Sequence, residues 1–198
     1  EGYKKKNGDH VIVAASEKEK KFGFGIANAL HYSPEALSVC LAVERDLSKL
    51  FALYEYGPTH TEIILTSNEE FYLVEAAVRG GGSGIPSDVI PTLTGFFPEY
   101  ELLRDASLTI PEPPAPKKRQ YVSLVFYEFR GKFATELVYE AEYMIRHWCD
   151  YSIGDLVRPI QDDRSRHGFV IIGGDSAWQI SRILSQLAEY NPSVVFHD

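Results

Sequence analysis

The stretch from Phe169 to Leu184 constrains the fold more than any other part of this chain. An apolar run, Phe169 to Ile172, stops at the adjacent glycines Gly173 and Gly174. Apolar residues return at Ile180, Ile183, Leu184, Leu187 and Ala188, a helical spacing. The stretch therefore predicts a buried strand, a tight turn and a helix, followed by a last strand from Ser193 to Phe196. Ser176 is placed to cap the helix, with Gln179 as the third-position partner of a capping box.

The same grammar is read upstream. His10 to Ala15 is a short apolar strand, and Glu17 to His31 carries Phe22, Ile26, Ala29 and Leu30 at helical spacing. Leu37 to Val43 is a continuous apolar run, expected as a strand buried on both faces, and Glu44 to Tyr56 as a helix. Glu62 to Thr66 follows as a strand. A capping box at Ser67 and Glu70 then opens a helix carrying Phe71, Val74 and Val78. The pattern restarts with a strand at Tyr121 to Tyr127, a helix at Lys132 to Trp148 and a strand at Ile153 to Ile160. Strands alternating with helices predict an α/β fold with a doubly wound, mostly parallel sheet of Rossmann-like type, in two pseudo-repeated halves. The halves are residues 1–79 and 121–198. Residues 80–120 form a flexible, proline-rich connector that opens on Gly80 to Gly84, and the halves are expected to pack as one compact unit.

Composition narrows the function. A net charge of −8 argues against a nucleic-acid partner, whose phosphates need a basic face. No apolar run is long enough to span a bilayer. The two cysteines, Cys40 and Cys149, lie in apolar segments and are expected as free thiols in a reducing, cytoplasmic setting. Lys4, Lys5 and Lys6 read as a solvated tail, or as the cytoplasmic flank of a membrane span preceding Glu1.

The candidate ligand-binding residues are Gly173, Gly174, Asp175 and Ser176, at a strand-to-helix turn where freed amides and a helix N-terminus cradle anions, facing the strand end Ala14, Ala15 and Ser16. Asp175 opposes a phosphate there, and a plain glycine turn is the alternative. The six histidines are scattered and show no metal spacing, so no metal site is expected. No phosphate-binding GxxxxGK[ST] loop is present, and Gly23 and Gly25 lie inside a helical pattern rather than after a strand. Gly174-Asp175-Ser176 resembles the nucleophile block of GDSL hydrolases, but that block lies near the start of the family's domain. Here only His197 and Asp198, at the extreme end, are left downstream, so the order departs from the family's.

His10 to Ser16, an amphipathic segment and Ala36 to Val43 resemble the opening of universal stress protein (USP) domains, and His167 to Asp175 with Asn191 to Phe196 resembles their close. The tandem restart looks like the cytoplasmic regulatory domains of some cation exchangers and cotransporters. The resemblance implies a non-catalytic regulatory or interaction domain, acting as a homodimer or through a small ligand. The family's ATP-binding members carry G-x-x-G, nine residues and then glycine with Ser or Thr. Here the glycines are adjacent and the following helix has none, so the resemblance implies no cofactor. An adenine-nucleotide sensor and a serine hydrolase at Ser176 stand as alternatives.

Overall fold

A computed structural model describes residues 1–20, 26–66, 70–129, 138–162 and 165–190. In chain order these form β1 (Gly2–Lys4), β2 (His10–Ile12), β3 (Ser16–Lys20), β4 (Ala27–Tyr32), α1 (Pro34–Ala42), α2 (Glu44–Leu50), β5 (Gly57–Leu65) and β6 (Phe71–Ala77). A π-helical turn at Ile85–Val89 then leads into α3 (Ile90–Thr94), α4 (Pro98–Asp105), β7 (Tyr121–Phe126), β8 (Met144–Cys149), β9 (Gly168–Gly174) and α5 (Ala177–Tyr190). The strands make two sheets, β2-β1-β5-β6 and β3-β4-β7-β9-β8. Every pairing in both is antiparallel.

This overturns the expected doubly wound, mostly parallel, Rossmann-like or USP-like sheet. The physical reason lies in the connections. Six residues link β3 to β4 and five link β5 to β6, whereas a parallel crossover needs a dozen or more. Five element assignments change with it. Glu17 to His31 holds strands β3 and β4, with residues 21–25 outside the described set; Ala27 and Ala29 are buried at the two-residue period of a strand. Leu37 to Val43 lies mostly in helix α1, which Pro34 opens at a position where a missing N–H costs nothing. Phe71 to Ala77 is strand β6: the apolar spacing of Phe71, Val74 and Val78 matched a helix, but Phe-Tyr-Leu-Val is a β-rich run. Met144 to Trp148, expected as the end of a helix, lies in β8, and Ile153 to Ile160 makes only an isolated bridge at Leu156. The expected last strand, Ser193 to Phe196, and the cap at Ser67 lie outside the described residues.

Two compact units emerge, Glu1–Ala15 with Pro34–Lys118, and Ser16–Ser33 with Arg119–Asp198. In the first, Tyr3 on β1 is buried, meets Phe96 edge-on and donates its hydroxyl to Asp105 at 2.8 Å. Lys4, expected in a solvated tail, is buried in β1 and donates to the Gly8 carbonyl. Leu47 and Phe51 close the core from the α2 side, and the His10 ring stacks on Phe51. In the second unit, α5 lays Ile180, Ile183 and Leu187 against Val125, Val170 and Ile172 of the sheet. Here the expectation of a buried strand leading into a helix is met: every residue of β9 is buried and α5 follows directly. Both cysteines are free thiols and half-buried. No helix of the described residues is long and apolar enough to cross a membrane.

His167 joins this core as a neutral ring. Its Nδ1 accepts the Phe129 N–H at 2.9 Å, Nε2 donates to the Arg158 carbonyl at 2.6 Å, and the ring stacks on Phe129. Burial pushes its pKa down, and the Arg158 carbonyl with the Glu128 and Asp150 carboxylates does not offset it. A histidine that resists protonation when folded accepts it when unfolded. Its contribution is therefore complete above the unfolded value, about 6.5, and is lost as the pH falls below that toward the lower folded value. Between about pH 7.5 and 5.5 this group should lower the urea midpoint, by at most about 1.4 kcal/mol per pH unit, while His60, whose pKa the Glu1 bond raises, works in the opposite direction. His167→Gln should remove that part of the slope.

Candidate functional site

The β5–β6 hairpin carries a pair of carboxylates that packing alone does not explain. Glu62 and Glu75 stand directly opposite each other across the antiparallel ladder. Like charges in that relation repel, so the pair costs stability to the extent that neighbouring cationic groups do not offset it. Immediately beyond it the register slips: Ile63 pairs with Leu73, leaving Val74 without a partner. Such bulges re-aim side chains and gather next to active sites.

Arg79 and His60 flank the pair, and Glu1 stands behind His60. Arg79 sets Nη2 3.3 Å from Glu75 Oε1 and donates through Nη1 to the Gly80 carbonyl. His60, two residues before Glu62 on the same strand, sets Nε2 3.6 Å from Glu62 Oε1. Its Nδ1 lies 2.7 Å from Oε1 of Glu1, whose side chain is only 3% exposed. The hydrogen bond to Glu1 raises the His60 pKa, and burial opposes it. The other Glu1 oxygen accepts the Gly81 N–H at 3.1 Å. Gly81 must be glycine for this approach: a Cβ there would stand 2.6 Å from Glu1 Oε1 and 2.8 Å from Ile85 Cδ1.

Hard oxygen donors of this kind suit Mg2+, which is held by one or two carboxylates and completes its shell with water and substrate phosphate. A self-sufficient metal cage is absent: among the described residues no group of three or more His, Cys, Asp or Glu could hold an ion.

The residues singled out by sequence fall elsewhere. Ala14 and Ala15 are buried behind β2 in the first unit, while Ser16 opens β3 in the second. Gly173 and Gly174 end β9, and a Cβ on Gly173 would stand 2.7 Å from the Arg119 side chain. Asp175, exposed, pairs with the buried guanidinium of Arg119 at 3.0 Å. The Ser176 hydroxyl accepts the Gln179 N–H, and the Gln179 side chain reaches back to the Asp175 N–H. Among the described residues no histidine bonds the Ser176 hydroxyl, and its bond from Gln179 is that of a helix cap.

Glu62 and Glu75 were missed because Phe71 to Val78 matched a helix. A signal was present. Both carboxylates sit inside β-rich apolar runs on either side of the polar Thr66 to Glu70 link, which is a hairpin signature.

The chain matches no protein-family model and no curated protein in sequence. Its structure is similar to the L-amino acid ligase of Bacillus licheniformis, with 18% identity and a TM-score of 0.73, covering 100% of this chain and 51% of that one. It is also similar to the phosphoribosylglycinamide synthetase of Anaerococcus prevotii, with 13% identity and a TM-score of 0.73, covering 99% of this chain and 52% of that one. A third likeness is the biotin carboxylase domain dimer of Hydrogenobacter thermophilus 2-oxoglutarate carboxylase, in complex with MgADP, ADP and bicarbonate. It has 12% identity and a TM-score of 0.56, covering 87% of this chain and 40% of that one. The chain thus spans about half the length, or less, of these structures. These are ATP-grasp proteins, not USP domains, and the reading as a non-catalytic USP-like regulatory domain of a transporter falls with its fold, as does the GDSL hydrolase alternative. Two antiparallel sheets of four and five strands, together with these likenesses, show that the chain has the ATP-grasp fold.

Proposed function

We propose that this chain handles a Mg2+–adenine nucleotide in an ATP-dependent ligase or carboxylase, with Glu62 and Glu75 as the carboxylate ligands of the cation. The observation that carries the reading is the directly opposed pair at a bulge, on a fold shared with a protein solved with MgADP. Glu62 and Glu75 would hold the cation, which would supply neutralisation of phosphate charge and polarisation of a phosphoryl oxygen. The chain's own residues do the rest. Glu62 and Glu75 fix the cation's place from two adjacent strands, whose ladder sets their spacing more tightly than a loop does. Arg79, tied to Glu75 and to the Gly80 carbonyl, offers positive charge beside the pair, where an anionic oxygen gains most from it.

Titration of the full chain with Mn2+ in the presence of ADP, following free Mn2+ by electron paramagnetic resonance, tests this. Wild type is expected to bind one Mn2+ per nucleotide. Glu62→Gln and Glu75→Gln should each weaken that binding at least about 100-fold, since each removes half of the protein's charged donors. Unaltered Mn2+ binding in both variants would exclude the assignment.

A further inference from the structure

We propose that His60 is a positioning residue for the Glu62 carboxylate, held through Nδ1 by the buried side chain of Glu1 and presenting Nε2 to Glu62. The inference rests on the reading of Glu62 and Glu75 as cation ligands. Its basis is a chain of contacts that ends at the site. Both oxygens of Glu1 are fixed, one by His60 Nδ1 at 2.7 Å and the other by the Gly81 N–H at 3.1 Å. The side chain is 3% exposed, so it has little room to turn. A ring tied at Nδ1 to so rigid a partner has its far nitrogen aimed in one direction, and Glu62 Oε1 lies there at 3.6 Å. That separation is too long for a hydrogen bond and within ion-pair range. The ring therefore steers the carboxylate without a hydrogen bond that a cation would have to break. Carboxylate ligands of metals are commonly oriented by such neighbours, and loss of one weakens metal affinity about 10–100-fold.

Gly81 is the remote end of this chain. It touches Glu1 and Ile85, not Glu62, and a methyl group there would displace the Glu1 carboxylate. Gly81→Ala is therefore expected to reproduce the metal defect of a His60 variant from a position two contacts away.

Two replacements separate steering from packing. Asparagine places its amide where Nδ1 stands and keeps the Glu1 bond; glutamine places its amide nearer to Nε2. Mn2+ affinity in the presence of ADP, measured by electron paramagnetic resonance on the full chain, is compared with ADP affinity in EDTA. Expected for His60→Asn is a melting temperature close to wild type, a Mn2+ affinity at least about 10-fold weaker, and an unchanged ADP affinity in EDTA. His60→Gln, which restores an amide near Nε2 without the Glu1 bond, should recover only part of the Mn2+ affinity. If His60→Asn binds Mn2+ as wild type does, the positioning role is overturned while the nucleotide reading stands. If wild type binds no Mn2+ with ADP, both are overturned.

Discussion

Gly168→Ala is expected to be the most damaging single-methyl change in the chain. Gly168 begins β9 at φ +145°, in a region that L side chains rarely adopt. A Cβ there would stand 2.3 Å from the Trp148 carbonyl oxygen and 2.9 Å from the Cys149 Cα, both backbone atoms of β8 that no rotamer change can move. Relief requires the β8–β9 pairing to open where Gly168 faces Cys149. The bonds on either side, from the Tyr127 N–H to the Gly168 carbonyl and from the Asp150 N–H to the His167 carbonyl, would move with it. Strained backbone costs about 1–3 kcal/mol by itself, and the broken pairing adds to it. We expect a loss of about 3 kcal/mol or more, at the top of the range for point changes, read as a lower urea midpoint at constant slope. Gly82→Ala is the control: nothing lies within 4 Å of its Cβ position, and the midpoint should not move. Equal effects at the two positions would contradict the account.

The same unit shows what a sequence displays and what it hides. Strand β9 and helix α5 were legible because their signals are local: a continuous apolar run, a glycine stop, and a cap whose two side-chain bonds span four residues. Strand β7 was legible for the same reason. Two errors then supported each other. The apolar run at Leu37 to Val43 suits a buried strand as well as a short helix, and periodicity alone does not separate them. The spacing of Phe71, Val74 and Val78 suits a helix as well as a bulged strand. Exchanging strand for helix at both places kept the appearance of regular alternation, and alternation implied a parallel sheet. The hairpin link of Thr66 to Glu70, too short for any crossover, contradicted it. Other features were beyond local reading. The pairing of His31 with Ser123 joins strands far apart in sequence, and nothing near either residue encodes it. The proposed site belongs to this class, since Glu62 and Glu75 are brought opposite each other only by strand register. Even the carboxylate of Glu1, which orients His60, is recognisable only in three dimensions.

Glu62→Gln is expected to move stability in opposite directions with and without the cation. In metal-free protein it removes one of two directly opposed charges. Cross-strand like charges cost a fraction of a kcal/mol, so the melting temperature should rise by about 1–2 °C for a chain of this size. The contact with His60 at 3.6 Å is lost as well, but a partly exposed ion pair returns little against the repulsion removed. Glu75→Gln is a less clear probe because it also unties Arg79. With MgADP at about 100 times its dissociation constant, wild type gains about 2.7 kcal/mol by mass action, which is about 5–10 °C at this size. The variant should gain almost nothing, so the order of the two melting curves reverses when ligand is added. That reversal separates a binding site from a structural pair: a residue kept for stability loses it in both conditions, whereas a residue kept for a cation costs stability until the cation is present. A Glu62→Gln protein that melts below wild type without metal, and gains as much as wild type with MgADP, would show that the opposed carboxylates are structural.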